Sequence, residues 1–96
     1  MRNVEEIQPN VKALIQAGTP VVDVRTPQEF LEGHDPVSQN LPLQDIATWS
    51  TNFKADEQVI LVCRSGGRAG SAQKTLQAHG VKAYNLGAWQ NLAQYQ

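Results

Sequence analysis

The apolar residues of this chain fall in short blocks separated by glycine, proline and charge, and the spacing within each block predicts its conformation. Val59-Ile60-Leu61-Val62 is apolar without alternation. That is the pattern of a strand covered on both faces, as in a parallel sheet. Val21-Val22-Asp23-Val24 predicts a second short strand, and residues 81 to 86 a third. Residues 34 to 42 hold two prolines and predict a loop leading into a brief strand near Gln39 to Leu41.

Between these strands the spacing becomes helical. Val11, Leu14 and Ile15 share one face of a segment that Pro9 opens and Gly18 stops. Asn3 with Glu6 has the form of a capping box ahead of it. Thr26-Pro27-Gln28-Glu29 is a second capping box with proline at the first helical position, and that helix ends at Gly33. Leu43, Ile46 and Ala47 mark another short helix with Trp49 beside it, and residues 54 to 58 form a polar connection. Ala69, Ala72 and Leu76 recur at helical spacing, closed by His79-Gly80, and a terminal helix carries Trp89, Leu92 and Ala93. Strands alternating with helices predict an α/β fold, a small central parallel sheet with helices on both faces.

Composition narrows the function. A length of 96 residues with no repeat, linker or low-complexity tract fits one domain, 1–96. Lys and Arg total 8 against 9 Asp and Glu, a net charge of −1. This balance gives no general pull toward nucleic acid or an anionic membrane, so any anion site has to be local. The one cysteine excludes an intramolecular disulfide, and His34 and His79 are too far apart in sequence to suggest a zinc motif, so no metal is expected. The N-terminus lacks the apolar core of a secretory signal, and no apolar run approaches membrane-spanning length. The expectation is a cytoplasmic domain in a reducing compartment. With no heptad pattern or large apolar stripe, a monomer is expected.

The chemistry concentrates at one junction. Cys63 ends the strand predicted to be central, and Arg64, Ser65, Gly66, Gly67 and Arg68 follow it into a helix. Sites in open α/β sheets form at the carboxyl ends of strands. The first N–H groups of a helix lack intrahelical partners and favour an anion. Gly66 and Gly67 let backbone N–H groups converge on one point, and Arg64 and Arg68 add full charge. A thiol there ionises more readily than a free one, and the thiolate is the nucleophile. The alternative for Cys63 is a buried structural thiol before a glycine-rich turn. Two arginines and two glycines within five positions favour the functional reading.

These residues resemble the rhodanese family, specifically its single-domain sulfurtransferases. VVDVRTPQEFLEGH looks like the family's strand, Asp-x-Arg, short helix and Gly-His segment; NLPL (40–43) resembles the stretch after its third strand. VILVCRSGGRA looks like its active-site strand and loop, and VKAYNLGAWQNL like its last strand and closing Gly-Trp segment. The resemblance covers about residues 20 to 90. Four residues separate Cys63 from Arg68. Related cysteine phosphatases and arsenate reductases use five, a wider cradle suited to phosphate or arsenate. The chain departs from the family's Gly-His-Ile-Pro-Gly-Ala at Asp35, which replaces an apolar residue, and at Val37, which replaces a glycine.

The resemblance implies a persulfide mechanism that needs no metal or organic cofactor. The Cys63 thiolate takes sulfane sulfur from thiosulfate or a similar donor, and an acceptor (cyanide, a small thiol or a protein thiol) removes it. Backbone N–H groups from Arg64 to Arg68 would stabilise the sulfur anion. Arg64 and Arg68 would orient the donor, or one of them would brace the loop through a carboxylate. Asp23, Arg25 and Glu29 are expected as structural support: Asp23 because a buried carboxylate needs partners, Arg25 and Glu29 as a possible pair, with Glu29 also available to its capping box. Ser65 serves either the persulfide or the turn. His34 is expected to shape the loop region, His79 to end a helix, and Trp49 and Trp89 to pack in the core or at a pocket rim, core being preferred for Trp89. The competing functions are a persulfide carrier or regulatory module with little turnover, and a cysteine phosphatase or arsenate reductase.

Overall fold

The computed structural model describes residues 10–96. Its elements in chain order are α1 (Val11–Gln16), β1 (Val21–Asp23), α2 (Pro27–Glu32), β2 (Gln39–Asn40), α3 (Ile46–Trp49), β3 (Gln58–Cys63), α4 (Gly67–Ala78) and β4 (Lys82–Ala88). Short 3-10 turns, Leu43–Asp45 and Ser50–Asn52, flank α3, and a 3-10 helix, Trp89–Tyr95, closes the chain. The Asn3–Glu6 capping box and the start at Pro9 lie outside the described residues. Within them, Asn10 caps α1, its side chain accepting from the Ala13 N–H at 3.1 Å. The Thr26–Glu29 capping box forms in both directions, with Pro27 at the first helical position.

The strands form one sheet in the order β2-β1-β3-β4, every pairing parallel. The apolar block of β3 is buried on both faces. Val59, Leu61 and Cys63 join Val22, Val24, Trp49 and the α4 residues Ala69, Ala72 and Leu76 in one layer. Ile60 and Val62 join Val21 and Leu92 in the other, against Val11, Leu14 and Ile15 of α1. Each fully buried Ile or Leu contributes about 1.5–3 kcal/mol, so the sheet is clamped between its two helical layers. Helix α4 ends with Gly80 N–H donating to Gln77 O and Val81 N–H to Leu76 O, at 3.0 and 3.1 Å. Val81 and Leu76 are buried in the same layer, so this cap also aims the chain into β4.

Three elements differ from expectation. Strand β4 continues to Ala88. The segment around Trp49 is a chain of short turns, because the residues that reach the core, Leu43, Ile46 and Trp49, are spaced by three, and Ala47 is exposed. The closing segment is a 3-10 helix for the same reason: Trp89 and Leu92 meet the core three residues apart, the 3-10 repeat, while Ala93 faces solvent. Among the described residues no helix is long and apolar enough to cross a membrane.

Candidate active site

Because every strand is parallel, Asp23, Asn40, Cys63 and Ala88 all arrive at the same edge of the sheet. Cys63 is 1% exposed. Its Sγ accepts a hydrogen bond from the Gly66 N–H at 2.9 Å. Burial pushes the thiol pKa up, but the N–H groups of Ala69, Ser65, Gly66 and Arg68 outweigh it and hold it below the ordinary value. Of these donors, Gly66 is the one at full hydrogen-bonding geometry. The sulfur therefore sits on the floor of a backbone cradle, with a helix N-terminus behind it.

The cradle is shaped by Gly66, which has φ +101°. A side chain there would be strained, and its Cβ would lie 3.4 Å from Gly87 Cα. Asn85 fixes the turn from the neighbouring strand: its Nδ2 donates to Gly66 O at 2.9 Å, and its Oδ1 accepts from the Gly87 N–H at 2.9 Å. A β-bulge makes this contact possible. Leu61 pairs with Asn85 but Cys63 pairs with Ala88, so β4 carries one extra residue, and Gly87 takes a φ of +84° there.

Beneath the loop, Asp23 is fully buried and Arg25 is 6% exposed. Arg25 donates to Asp23 from Nε at 2.9 and 3.0 Å, from Nη2 at 2.7 Å and from its backbone N–H at 3.1 Å. Its Nη2 also reaches Gly33 O at 2.7 Å, and the guanidinium lies 5.0 Å from the Trp89 ring centroid. Asn40 Nδ2 donates to the carbonyls of Asp23 and Arg25 at 3.0 and 2.9 Å, locking the end of β1.

The expected Arg25–Glu29 pair does not form. Arg25 folds back over Asp23, two residues away on an extended strand end. Glu29, at the third position of α2, turns toward α4 and receives Arg68 in a fork, at 2.6 and 3.0 Å. That fork, and then the Thr26 N–H, lower the Glu29 pKa to about 2. In return, Glu29 raises the pKa of Arg68. Of the two roles left open for the loop arginines, Arg68 thus takes the bracing one, and Arg64 stays exposed.

Arg64 lines a cavity of about 290 Å3 with Arg25, Glu29, Glu32, Gly33, Trp89 and Gln90. Trp89 is therefore a wall of this cavity, whereas Trp49 is core. Ser65 contributes its backbone N–H to the sulfur, and Gly67 opens α4. His34 is exposed, stacks on Phe30 at 3.6 Å and donates from Nδ1 to Phe30 O at 2.7 Å. His79 is the C-cap of α4. The two departures at residues 35 and 37 have local roles. Asp35 Oδ1 accepts from the Val37 N–H at 2.9 Å, its Oδ2 accepts from Gln96, and Val37 packs in the core layer with Ile60 and Leu92.

A match to the rhodanese-like domain covers residues 8–94. The chain belongs to the rhodanese-like family. It is 36% identical over 67 residues to the uncharacterized protein YqhL of Bacillus subtilis, a match spanning 69% of this chain and 53% of YqhL. Thiosulfate sulfurtransferase GlpE of Pseudomonas syringae is 35% identical over 69 residues, 72% of this chain and 65% of GlpE. The chain thus spans about half to two-thirds of the length of these relatives. The rhodanese-like domain protein of Staphylococcus aureus superposes with a TM-score of 0.67 at 30% identity, over 74% of this chain and 70% of that one. Human single-domain sulfurtransferase TSTD1 superposes with a TM-score of 0.69 over 92% and 93% of the two chains; at 20% identity this is a likeness of fold.

Reading the rhodanese-like sequence alone missed Asn40, Asn85, Glu32 and Gln90. Asparagine is depleted in strands, so Asn85 inside an otherwise strand-forming run was the available signal. Glu32 and Gln90 carried none.

Proposed function

We propose that this chain is a sulfurtransferase that holds sulfane sulfur on Cys63 as a persulfide. The observation that carries the reading is the cradle itself: a sulfur at a strand end, bonded to the Gly66 N–H at 2.9 Å, with its pKa lowered by surrounding backbone donors. An N–H cradle stabilises both the attacking thiolate and the anionic terminal sulfur of the product. In the first step the Cys63 thiolate attacks the outer sulfur of thiosulfate or a similar donor. A new S–S bond forms, the donor's S–S bond breaks, and sulfite leaves with the electron pair. In the second step cyanide or a thiolate attacks the terminal sulfur, and the electron pair of the broken bond returns to Cys63 Sγ. Arg64, exposed beside the thiol, supplies the charge that attracts an anionic donor. Arg68, Glu29, Asp23 and Arg25 hold the frame. The residues present suffice for both steps without a cofactor. A lone thiol that has to stay reduced suits the cytoplasm.

The test is an intact mass after excess thiosulfate and desalting. A gain of one sulfur, absent in Cys63→Ser and discharged by cyanide, is the expected result. No gain with the thiol demonstrably free would overturn thiosulfate as donor. Hydrolysis of a generic aryl phosphate would favour the phosphatase reading, against which the four-residue spacing from Cys63 to Arg68 counts.

A further inference from the structure

The cavity beside the loop has an unusual charge pattern. The described residues hold two ion pairs, Asp23–Arg25 and Glu29–Arg68. Two of those four side chains, Arg25 and Glu29, line the cavity, and each is already paired. Arg64 and Glu32 line the same cavity, are exposed, and enter neither pair. Among the described residues, then, one cation and one anion without an ion-pair partner face a common space. Arg25 adds a directional donor. Its Nε and Nη2 are occupied, while Nη1 has no partner among the described residues. Arg25 is one of the residues that line the cavity. Trp89 supplies an apolar wall and Gln90 an amide. The volume, about 290 Å3, equals roughly ten waters, which suits a small molecule.

A small dianion such as thiosulfate satisfies Arg64 but is repelled by Glu32. A ligand carrying both a carboxylate and an ammonium satisfies both. We propose that this cavity is the acceptor subsite and that it selects a small zwitterionic thiol, one bearing both charged groups, over thiols that bear only one. The proposal rests on the sulfur-carrying reading of Cys63 and names the acceptor for it. The carboxylate meets Arg64 and Arg25 Nη1, the ammonium meets Glu32, and the methylene lies against Trp89. The acceptor's thiol loses its proton to solvent, and its sulfur attacks the terminal sulfur of the Cys63 persulfide. The acceptor leaves as its own persulfide and Cys63 returns as the thiolate. No oxidant or reductant is consumed.

The experiment uses the whole chain with Cys63 charged by thiosulfate or, independently, by inorganic polysulfide. Discharge is followed by mass with cysteine, with cysteamine (no carboxylate) and with 3-mercaptopropionate (no ammonium). Each thiol is compared with itself in wild type and Glu32→Gln, so its intrinsic reactivity cancels. Glu32→Gln is expected to slow cysteine and cysteamine about twofold to fivefold relative to 3-mercaptopropionate, the range of a partly exposed ion pair. Glu32→Lys is expected to slow cysteamine further and to speed 3-mercaptopropionate, each relative to its own wild-type rate. Equal ratios for all three thiols in both variants would overturn the proposal alone. Failure of both donors to charge Cys63 would overturn the sulfur-carrying reading and the proposal with it.

Discussion

Asp23→Ala tests the frame beneath the site. Asp23 is fully buried, Arg25 is 6% exposed, and Arg25 makes four hydrogen bonds to the Asp23 carboxylate. Removing the carboxylate leaves a buried guanidinium held only by Gly33 O and the face of Trp89. Breaking a buried pair by deleting one partner costs about 3–5 kcal/mol. For a domain of this size each kcal/mol lowers Tm by about 4–8 °C, so a fall of at least about 12 °C is expected. The double variant Asp23→Ala/Arg25→Met removes the stranded charge as well. It loses the bond to Gly33 O, worth about 1 kcal/mol net, but avoids the buried unpaired cation. The cycle should therefore show a coupling of at least about 2 kcal/mol, read from urea midpoints at constant slope. Added salt should leave that coupling nearly unchanged, because a buried pair is poorly screened. A loss below about 1 kcal/mol in Asp23→Ala, or singles that simply add in the double, would refute the reasoning.

Further outcomes follow from the loop and its brace. Gly66→Ala should cost about 1–2 kcal/mol because of its left-handed backbone, whereas Gly67→Ala, with nothing within 4 Å of the added Cβ, should be neutral or stabilising in thermal melts. Glu29 has a folded pKa of about 2, below the ordinary glutamate value, so the unfolded chain binds its proton more tightly. Its stabilisation is complete above about pH 4.5 and drains as pH falls toward 2; Glu29→Gln, which keeps the cap to Thr26 but loses the charge, should flatten that part of the stability curve in acid titrations. Alkylation of Cys63 should rise with a midpoint below the free-thiol value of about 8.5, and a midpoint at or above it would contradict the cradle. Asn85→Ala should raise that midpoint and slow sulfur loading in mass-detected time courses, since it frees Gly66 O.

Much of this protein was legible in the chain itself because local chemistry and tertiary demand agree there. The unbroken apolar run 59–62 declared a strand buried on both faces, and it is the centre of the sheet. Thr26-Pro27-Gln28-Glu29 specified its own helix start, since each partner of a capping box is three residues from the other. The position of Cys63 at a strand end, ahead of glycines and arginines, needed only short-range geometry to be read as a nucleophile in an anion cradle. Partner choice among charges was not readable in that way. Arg25 and Glu29 are near in sequence, yet each finds a better partner: Asp23 is buried with Arg25 and leaves no alternative, and Glu29 meets Arg68, 39 residues away, only once α2 and α4 are packed. The same holds for Asn85, whose hold on Gly66 exists because parallel pairing and a bulge bring β4 beside the loop. Sequence determined which segments become strands and helices and where the thiol sits, because those depend on residues within a turn or two. Tertiary structure alone decided which charges are neutralised and which, Arg64 and Glu32, are left facing a cavity, because that depends on distances the chain sets only when its layers close.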